Sequence, residues 1–218
     1  MTRNIVIIDY GSGNLRSAQK ALQKATKNLD LPLEIIVSNQ PEVINKAERI
    51  ILPGVGAFAD CYEGLFSIAN IGEILEQRVK CDGVPFLGIC VGMQLMADAG
   101  LEKGNHKGLG WIKGEVKPIK PNDKNLKIPH MGWNTLNSNQ THELLKNIPS
   151  GKDGLHAYFV HSYHMEVENE SDLIASSDYG GQITAMVGKD NIVGTQFHPE
   201  KSQKLGIILL ENFLRWKP

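Results

Sequence analysis

The 218-residue sequence is poor in several things, and each scarcity narrows what the chain can be. It holds only three cysteines, Cys61, Cys81 and Cys90, an odd number with no Cys-x-x-Cys spacing. A disulfide framework or a cysteine-based zinc site is therefore not expected, and a reducing cytoplasm is. No apolar run approaches the roughly 18 residues that a helix needs to cross a bilayer. The apolar run at residues 5–8 stops at Asp9, so it reads as a buried strand and not as a signal peptide. Net charge is nearly absent too, with 23 Lys plus Arg against 24 Asp plus Glu. That balance supplies no general field for nucleic acid. Neither an internal repeat nor a low-complexity segment is present.

What remains is an ordinary globular composition, 41% hydrophobic and 22% charged, of a length that suits one domain over residues 1–218. The first half alternates short apolar runs with helical patterns. Strands are expected at 5–8, 34–37, 49–52 and 84–89, and helices at 15–29, 41–47, 68–80 and 91–99. Such alternation implies an α/β fold, a three-layer arrangement with a mostly parallel central sheet flanked by helices. The second half reads as strands at 111–120, 127–134, 155–168, 172–177, 182–188 and 192–197, more antiparallel in character. They form an antiparallel extension, closed by an amphipathic helix carrying Leu205, Ile208, Leu209, Phe213 and Trp216. Residues 120–125 form an exposed polar loop.

The most informative local pattern is Gly88-Ile89-Cys90-Val91-Gly92, placed where an apolar strand runs into a helix. This is the nucleophile-elbow arrangement, with cysteine where hydrolases often carry serine. The turn raises the Cys90 sulfur at the carboxyl end of the strand, and the following helix N-terminus favours negative charge there. A buried structural cysteine fits the same local pattern; Cys61 and Cys81, which lack this setting, are read that way. A thiol nucleophile needs a base, and the base needs a group to hold its tautomer. His198-Pro199-Glu200 supplies both residue types. The proline favours extended chain, in which residues two apart share a side, so Glu200 can stand behind His198. Taken alone, the tripeptide also suits a surface turn.

Gly-x-Cys-x-Gly-x-Gln followed much later by His-Pro-Glu resembles the class I glutamine amidotransferases. Four further stretches narrow the likeness: Asp9-Tyr10-Gly11-Ser12-Gly13-Asn14-Leu15, Pro53-Gly54-Val55-Gly56-Ala57-Phe58, Pro129-His130-Met131-Gly132-Trp133-Asn134 and His198-Pro199-Glu200-Lys201-Ser202. Together they are similar to the glutaminase subunits of imidazole glycerol phosphate synthases, from the first strand to the last helix. The resemblance implies a Cys90–His198–Glu200 triad that hydrolyses L-glutamine to glutamate and ammonia, with no cofactor. It implies oxyanion donors at Val91 and at Val55 or Gly56, in a loop whose N–H could flip in or out as a control. It implies a glutamine pocket of Gly56, Gln94, His161, Ser162 and Tyr163, with Gln94 one helical turn beyond Cys90. It also implies a (β/α)8-barrel cyclase partner in a heterodimer, met through Asn14, His130, Trp133 and Lys201. The runner-up is a glutaminase feeding a homologous synthase that aminates a sugar for cell-surface glycans.

Three other readings are weaker. Gly11-Ser12-Gly13 before a helix lacks the third glycine of a dinucleotide fingerprint, its place being taken by Arg16. His156, His161 and His164 do not suit zinc, because His161 and His164, three apart on a strand, point to opposite faces. A cysteine peptidase would lack a use for Gln94 and for His161-Ser162-Tyr163.

Overall fold

A computed structural model describes residues 3–29 and 32–218. Strand β1 (Arg3–Ile8) leads into helix α1 (Leu15–Lys27), which buries Ala18, Ala21, Leu22 and Ala25 along one stripe. Then come β2 (Leu33–Ser38), α2 (Pro41–Ile44) and β3 (Arg49–Gly54). Helix α3 (Phe58–Phe66) was not anticipated from the pattern. Helix α4 (Ile71–Leu75) continues as a π-helical stretch over Glu76–Cys81, then β4 (Phe86–Cys90) breaks directly into α5 (Val91–Gln94). Every residue of β3 and β4 is buried, as expected of parallel strands covered on both faces.

Two short pairs, β5 (Ala99–Gly100) and β6 (His106–Lys107), precede β7 (Gly114–Pro118), β8 (His130–Thr135) and β9 (Asn137–Ser138). The chain goes on through β10 (His156–His161), β11 (Tyr163–Val167), β12 (Leu173–Asp178), β13 (Gln182–Lys189) and β14 (Ile192–Thr195). It ends in α6 (Gln203–Arg215). The main sheet has the order β2-β1-β3-β4-β14-β13-β12-β9. Pairs from β2 to β14 are parallel and those from β14 to β9 antiparallel, so the parallel core with an antiparallel extension is observed. From β1 the chain steps one way to β2, and from β3 the other way to β4. Right-handed crossovers then put the helices of the two steps on opposite faces. Helices α1 and α6 pack together, as do α3 and α4.

Three expected elements are cut short, each for a visible reason. The helix expected over 91–99 stops after Gln94. Its next carbonyls are taken from outside: Leu95 accepts from Leu109, Met96 from Trp111 and Ile112, and Ala97 from Gly110. The single strand expected over 155–168 is two strands in different sheets, β10 beside β8 and β11 beside β7, and the chain changes sheet at Ser162. His161 and His164 therefore lie on separate strands and not on one. The stretch after Phe197 is not extended throughout: Pro199–Lys201 is a 3-10 turn with Pro199 at its start, a place that proline's fixed φ suits equally well. Among the described residues no helix is long and apolar enough to cross a membrane.

Candidate active site

The elbow forms because of what stands around its glycines. Cys90 adopts φ 55°, ψ −112°, a conformation costly for a residue with a side chain, at the point where β4 becomes α5. A Cβ on Gly92 would overlap the Leu52 carbonyl oxygen, and one on Gly88 would come within 2.6 Å of the Gly92 carbonyl. Only glycine lets the turn close this tightly against β3. Helix α5 is one turn long, so it carries less of a helix dipole than a longer helix would. Parallel register sets Gly54 beside Cys90 and Thr195 beside Ile89. The loops after β3 and β14 thus open on the same spot as the sulfur.

His198 follows β14 and turns its ring into that spot. Its Nδ1 lies 2.8 Å from a Glu200 carboxylate oxygen, with the two side chains only 2% and 3% exposed. With Nδ1 held by Glu200, the other ring nitrogen, Nε2, is left for Cys90. Burial alone would lower the pKa of His198, but the adjoining Cys90 and Glu200 outweigh it and push it up to about 10. The imidazole is therefore poised to carry a proton beside the sulfur. The carboxylate reaches the ring from the 3-10 turn and not from an extended chain.

Cys90 and His198 share a cleft of about 330 Å3 with Val55, Gly56, Val91 and Gln94 on one side and His161, Ser162 and Tyr163 on the other. The expected pocket residues are all brought together here. The Gln94 amide nitrogen donates to the Tyr163 carbonyl and to the Gln196 carboxamide, each at 3.0 Å. Both its hydrogens are then engaged, which leaves its oxygen as the free acceptor. His161 is pushed down to a pKa of about 3, chiefly by burial, and is held neutral with its Nδ1 donating to the Tyr163 carbonyl at 2.8 Å.

In the loop expected to supply a second oxyanion donor, Val55 is engaged by Ser12. The Val55 N–H donates to Ser12 Oγ at 3.0 Å, and the Val55 carbonyl accepts from Ser12 Oγ and from Cys61 Sγ. Gly56 takes φ +108°, and a Cβ there would meet open space, so backbone freedom and not room is what the position requires.

Two residues not anticipated from the sequence belong to the site. Glu102 adds a carboxylate to the cleft, with one oxygen accepting the Phe58 N–H at 2.9 Å. Gln196 is fully buried, with its amide nitrogen 3.6 Å from Cys90 Sγ. Gln196 sits two residues before His198 and just beyond β14, in a stretch buried throughout, so alternation does not single it out.

Of the expected partner-face residues, Trp133 is 46% exposed, its neighbour Met131 61%, and Lys201 lies over the Tyr158 ring. His130 is not on that face. It is 2% exposed, stacked between Phe159 and Tyr179, because alternation along β8 turns it inward while Met131 faces out. Asn14 is half-buried and its amide donates to the Glu200 carboxylate at 3.4 Å. Among the described residues no group of three or more His, Cys, Asp or Glu is placed to hold a metal ion.

The glutamine amidotransferase class-I family model matches residues 6–216. The subunit named imidazole glycerol phosphate synthase subunit HisH of Rhodopseudomonas palustris is 53% identical over 215 residues, 99% of this chain and 100% of that one. The protein of the same name from Rhizobium meliloti is 54% identical over 214 residues, 98% of this chain and 99% of its own. Among solved structures, a glutamine amidotransferase superposes with TM-score 0.68 at 18% identity, covering 96% and 97% of the two chains. Another, from Thermotoga maritima, gives 0.63 at 15%, covering 92% and 77%. At those identities the structures speak for the fold alone. The sequence matches, nearly end to end, show that the chain belongs to the class-I glutamine amidotransferase family.

Proposed function

We propose that this chain is the glutaminase subunit of an imidazole glycerol phosphate synthase. It hydrolyses L-glutamine and passes the ammonia to a (β/α)8-barrel cyclase in a cytoplasmic heterodimer. The cyclase makes imidazole glycerol phosphate and an aminoimidazole carboxamide ribotide in histidine biosynthesis. The observation that carries the reading is the meeting of Cys90 and His198, from distant parts of the chain, at one cleft of amino-acid size, with Glu200 holding the imidazole. The identity of the relatives as imidazole glycerol phosphate synthase subunits favours this synthase over one that aminates sugars.

In this reading His198 takes the Cys90 proton, and the sulfur attacks the side-chain carbonyl carbon of glutamine. The resulting oxyanion takes the N–H of Val91 and, once the loop turns, that of Val55 or Gly56; each such donor is worth about 10²–10³ in rate. Collapse expels ammonia, which carries off the proton from His198. Water, deprotonated by His198, then attacks the γ-glutamyl thioester and frees glutamate and thiol. Glu200 holds the ring throughout. Glu102 offers charge complementarity to the substrate ammonium, and Gln94 with His161, Ser162 and Tyr163 walls the amino-acid end. The exposed Ile128, Met131 and Trp133 give the partner an apolar surface beside the cleft.

The test is glutamate release by the purified chain with and without the cyclase and the cyclase's own ligand. Strong stimulation by the liganded cyclase is expected. Full turnover by the chain alone, or no support of glutamine-dependent turnover by the cyclase, would overturn the assignment.

A further inference from the structure

Gln196 follows β14, and its backbone N–H donates to the Ala185 carbonyl at 2.9 Å. Its side chain is fully buried between two partners, Gln94 and Cys90. A carboxamide has a donor end and an acceptor end, and a neighbour with one role settles which way it points. The Tyr163 carbonyl can only accept. It takes the His161 Nδ1–H at 2.8 Å and the Gln94 amide N–H at 3.0 Å. The Gln94 nitrogen, fixed in this way, also stands 3.0 Å from the Gln196 carboxamide, which must present its oxygen. The nitrogen of Gln196 is then the end aimed at the sulfur, 3.6 Å away.

We propose that Gln196 is a catalytic hydrogen-bond donor: its amide N–H holds the Cys90 thiolate, with polarity set by the Tyr163 carbonyl through Gln94. This rests on Cys90 being the nucleophile. In a buried site a neutral donor to an anion contributes more than the same contact in water, because no solvent competes for the sulfur. The donation also has a cost. A stabilised thiolate is less nucleophilic, but the loss scales with only about 0.4–0.5 of the ionisation gain, so near neutral pH more thiolate outweighs weaker thiolate. The other titratable groups acting on the sulfur are His198, with Glu200 behind it, Tyr10 and Cys61. None of them is changed by substituting Gln196.

The experiment follows alkylation of Cys90 by iodoacetamide against pH in the full-length chain and in Gln196→Leu, Gln196→Glu and Gln94→Leu. Glu at 196 keeps an oxygen for Gln94 but sets an acceptor against the sulfur. Both substitutions at 196 are expected to move the half-plateau pH up by about one unit or more, the size of a charged hydrogen bond. They should also raise the high-pH plateau by roughly threefold, since the freed thiolate is the stronger nucleophile. Gln94→Leu removes the group that fixes the direction of the carboxamide, so it should move the profile the same way by a smaller amount and also raise KM for glutamine. Profiles at 196 that superimpose on the unsubstituted one overturn the proposal, as does a Gln94→Leu profile that moves further than those at 196. Should the variants at 196 not fold, the ¹⁵N-labelled unsubstituted chain decides. Its Gln196 side-chain amide resonances must move with the Cys90 alkylation midpoint and stay still in Cys90→Ser; stationary resonances overturn it. Glutamate release retained in Cys90→Ser would instead sink the reading of Cys90 as the nucleophile, whatever the alkylation profiles show.

Discussion

Ser12 and Val55 are joined twice: the serine hydroxyl oxygen accepts the Val55 N–H at 3.0 Å and its hydrogen goes to the Val55 carbonyl. One small side chain thus restrains the two peptide groups that carry the expected oxyanion donors, the N–H of Val55 and that of Gly56. Ser12→Ala removes that restraint without touching the triad. Glutamate release by the isolated chain is expected to rise by roughly three- to tenfold, a fraction of what a full oxyanion donor supplies. An unchanged basal rate would show that something else holds the loop.

Cys90→Ser keeps the size of the elbow side chain and removes the nucleophile. Glutamate release should fall by at least about 10³-fold. Synthesis driven by added ammonia in the assembled synthase should persist, because only the ammonia source is lost. Comparing the two nitrogen donors in one assay checks both halves.

Glu200→Gln tests the sign of the His198 shift. The Glu200 carboxylate, 2.8 Å from Nδ1, favours the imidazolium, so removing its charge makes the ring lose its proton at lower pH. The alkaline limb of kcat should move to lower pH, and kcat itself should fall by about 10²–10⁴, as when a triad base loses its orienting carboxylate. A limb that moves upward contradicts the pairing.

His130 and His161 carry a stability prediction. Burial pushes them down to about 4 and about 3, from an ordinary 6.5. Below 6.5 the unfolded chain binds protons that the folded chain refuses. The stability present above 6.5 is then lost as pH falls through about 4 and about 3. Their imidazole resonances should stay in the neutral position down to about pH 5, a pH at which an ordinary histidine is charged. Thermal midpoints measured across the same range should decline; a resonance titrating near 6.5 would contradict the buried pair.

Trp133→Ala and Met131→Ser probe the apolar surface at the cleft mouth. Both side chains are largely exposed, so the isolated chain should melt as before. Affinity for the cyclase should drop by about ten- to a hundredfold, the usual loss when an interface anchor is truncated. Binding measured by calorimetry distinguishes this from a fold defect.

The parallel core was readable because its signals are local. Strands β1, β3 and β4 are unbroken apolar runs, and α1 and α6 carry apolar residues at helical spacing. The elbow was readable for the same reason, since Gly88, Cys90 and Gly92 sit within five residues and one turn requires all three. The short α5 was misread, because Leu95, Met96 and Ala97 look helical and only the returning loop at 108–112 takes their carbonyls. His130 was expected at the partner face from the family resemblance, whereas the alternation of β8 against β10 buries its side chain.

Sequence alone therefore determined the layers, the Gly88-Ile89-Cys90-Val91-Gly92 turn and the pairing of His198 with Glu200, since each is written in neighbouring residues and their backbone demands. Tertiary structure decided the rest: that Ser12 restrains Val55, that Glu102 enters the cleft, and that Gln196 reaches the sulfur. Those contacts join a polar side chain to a backbone N–H or to the sulfur 43, 44 and 106 positions away, and no local pattern of hydrophobicity or turn chemistry encodes such a meeting. Strand register in the sheet brings them together, and register is set by the whole core at once.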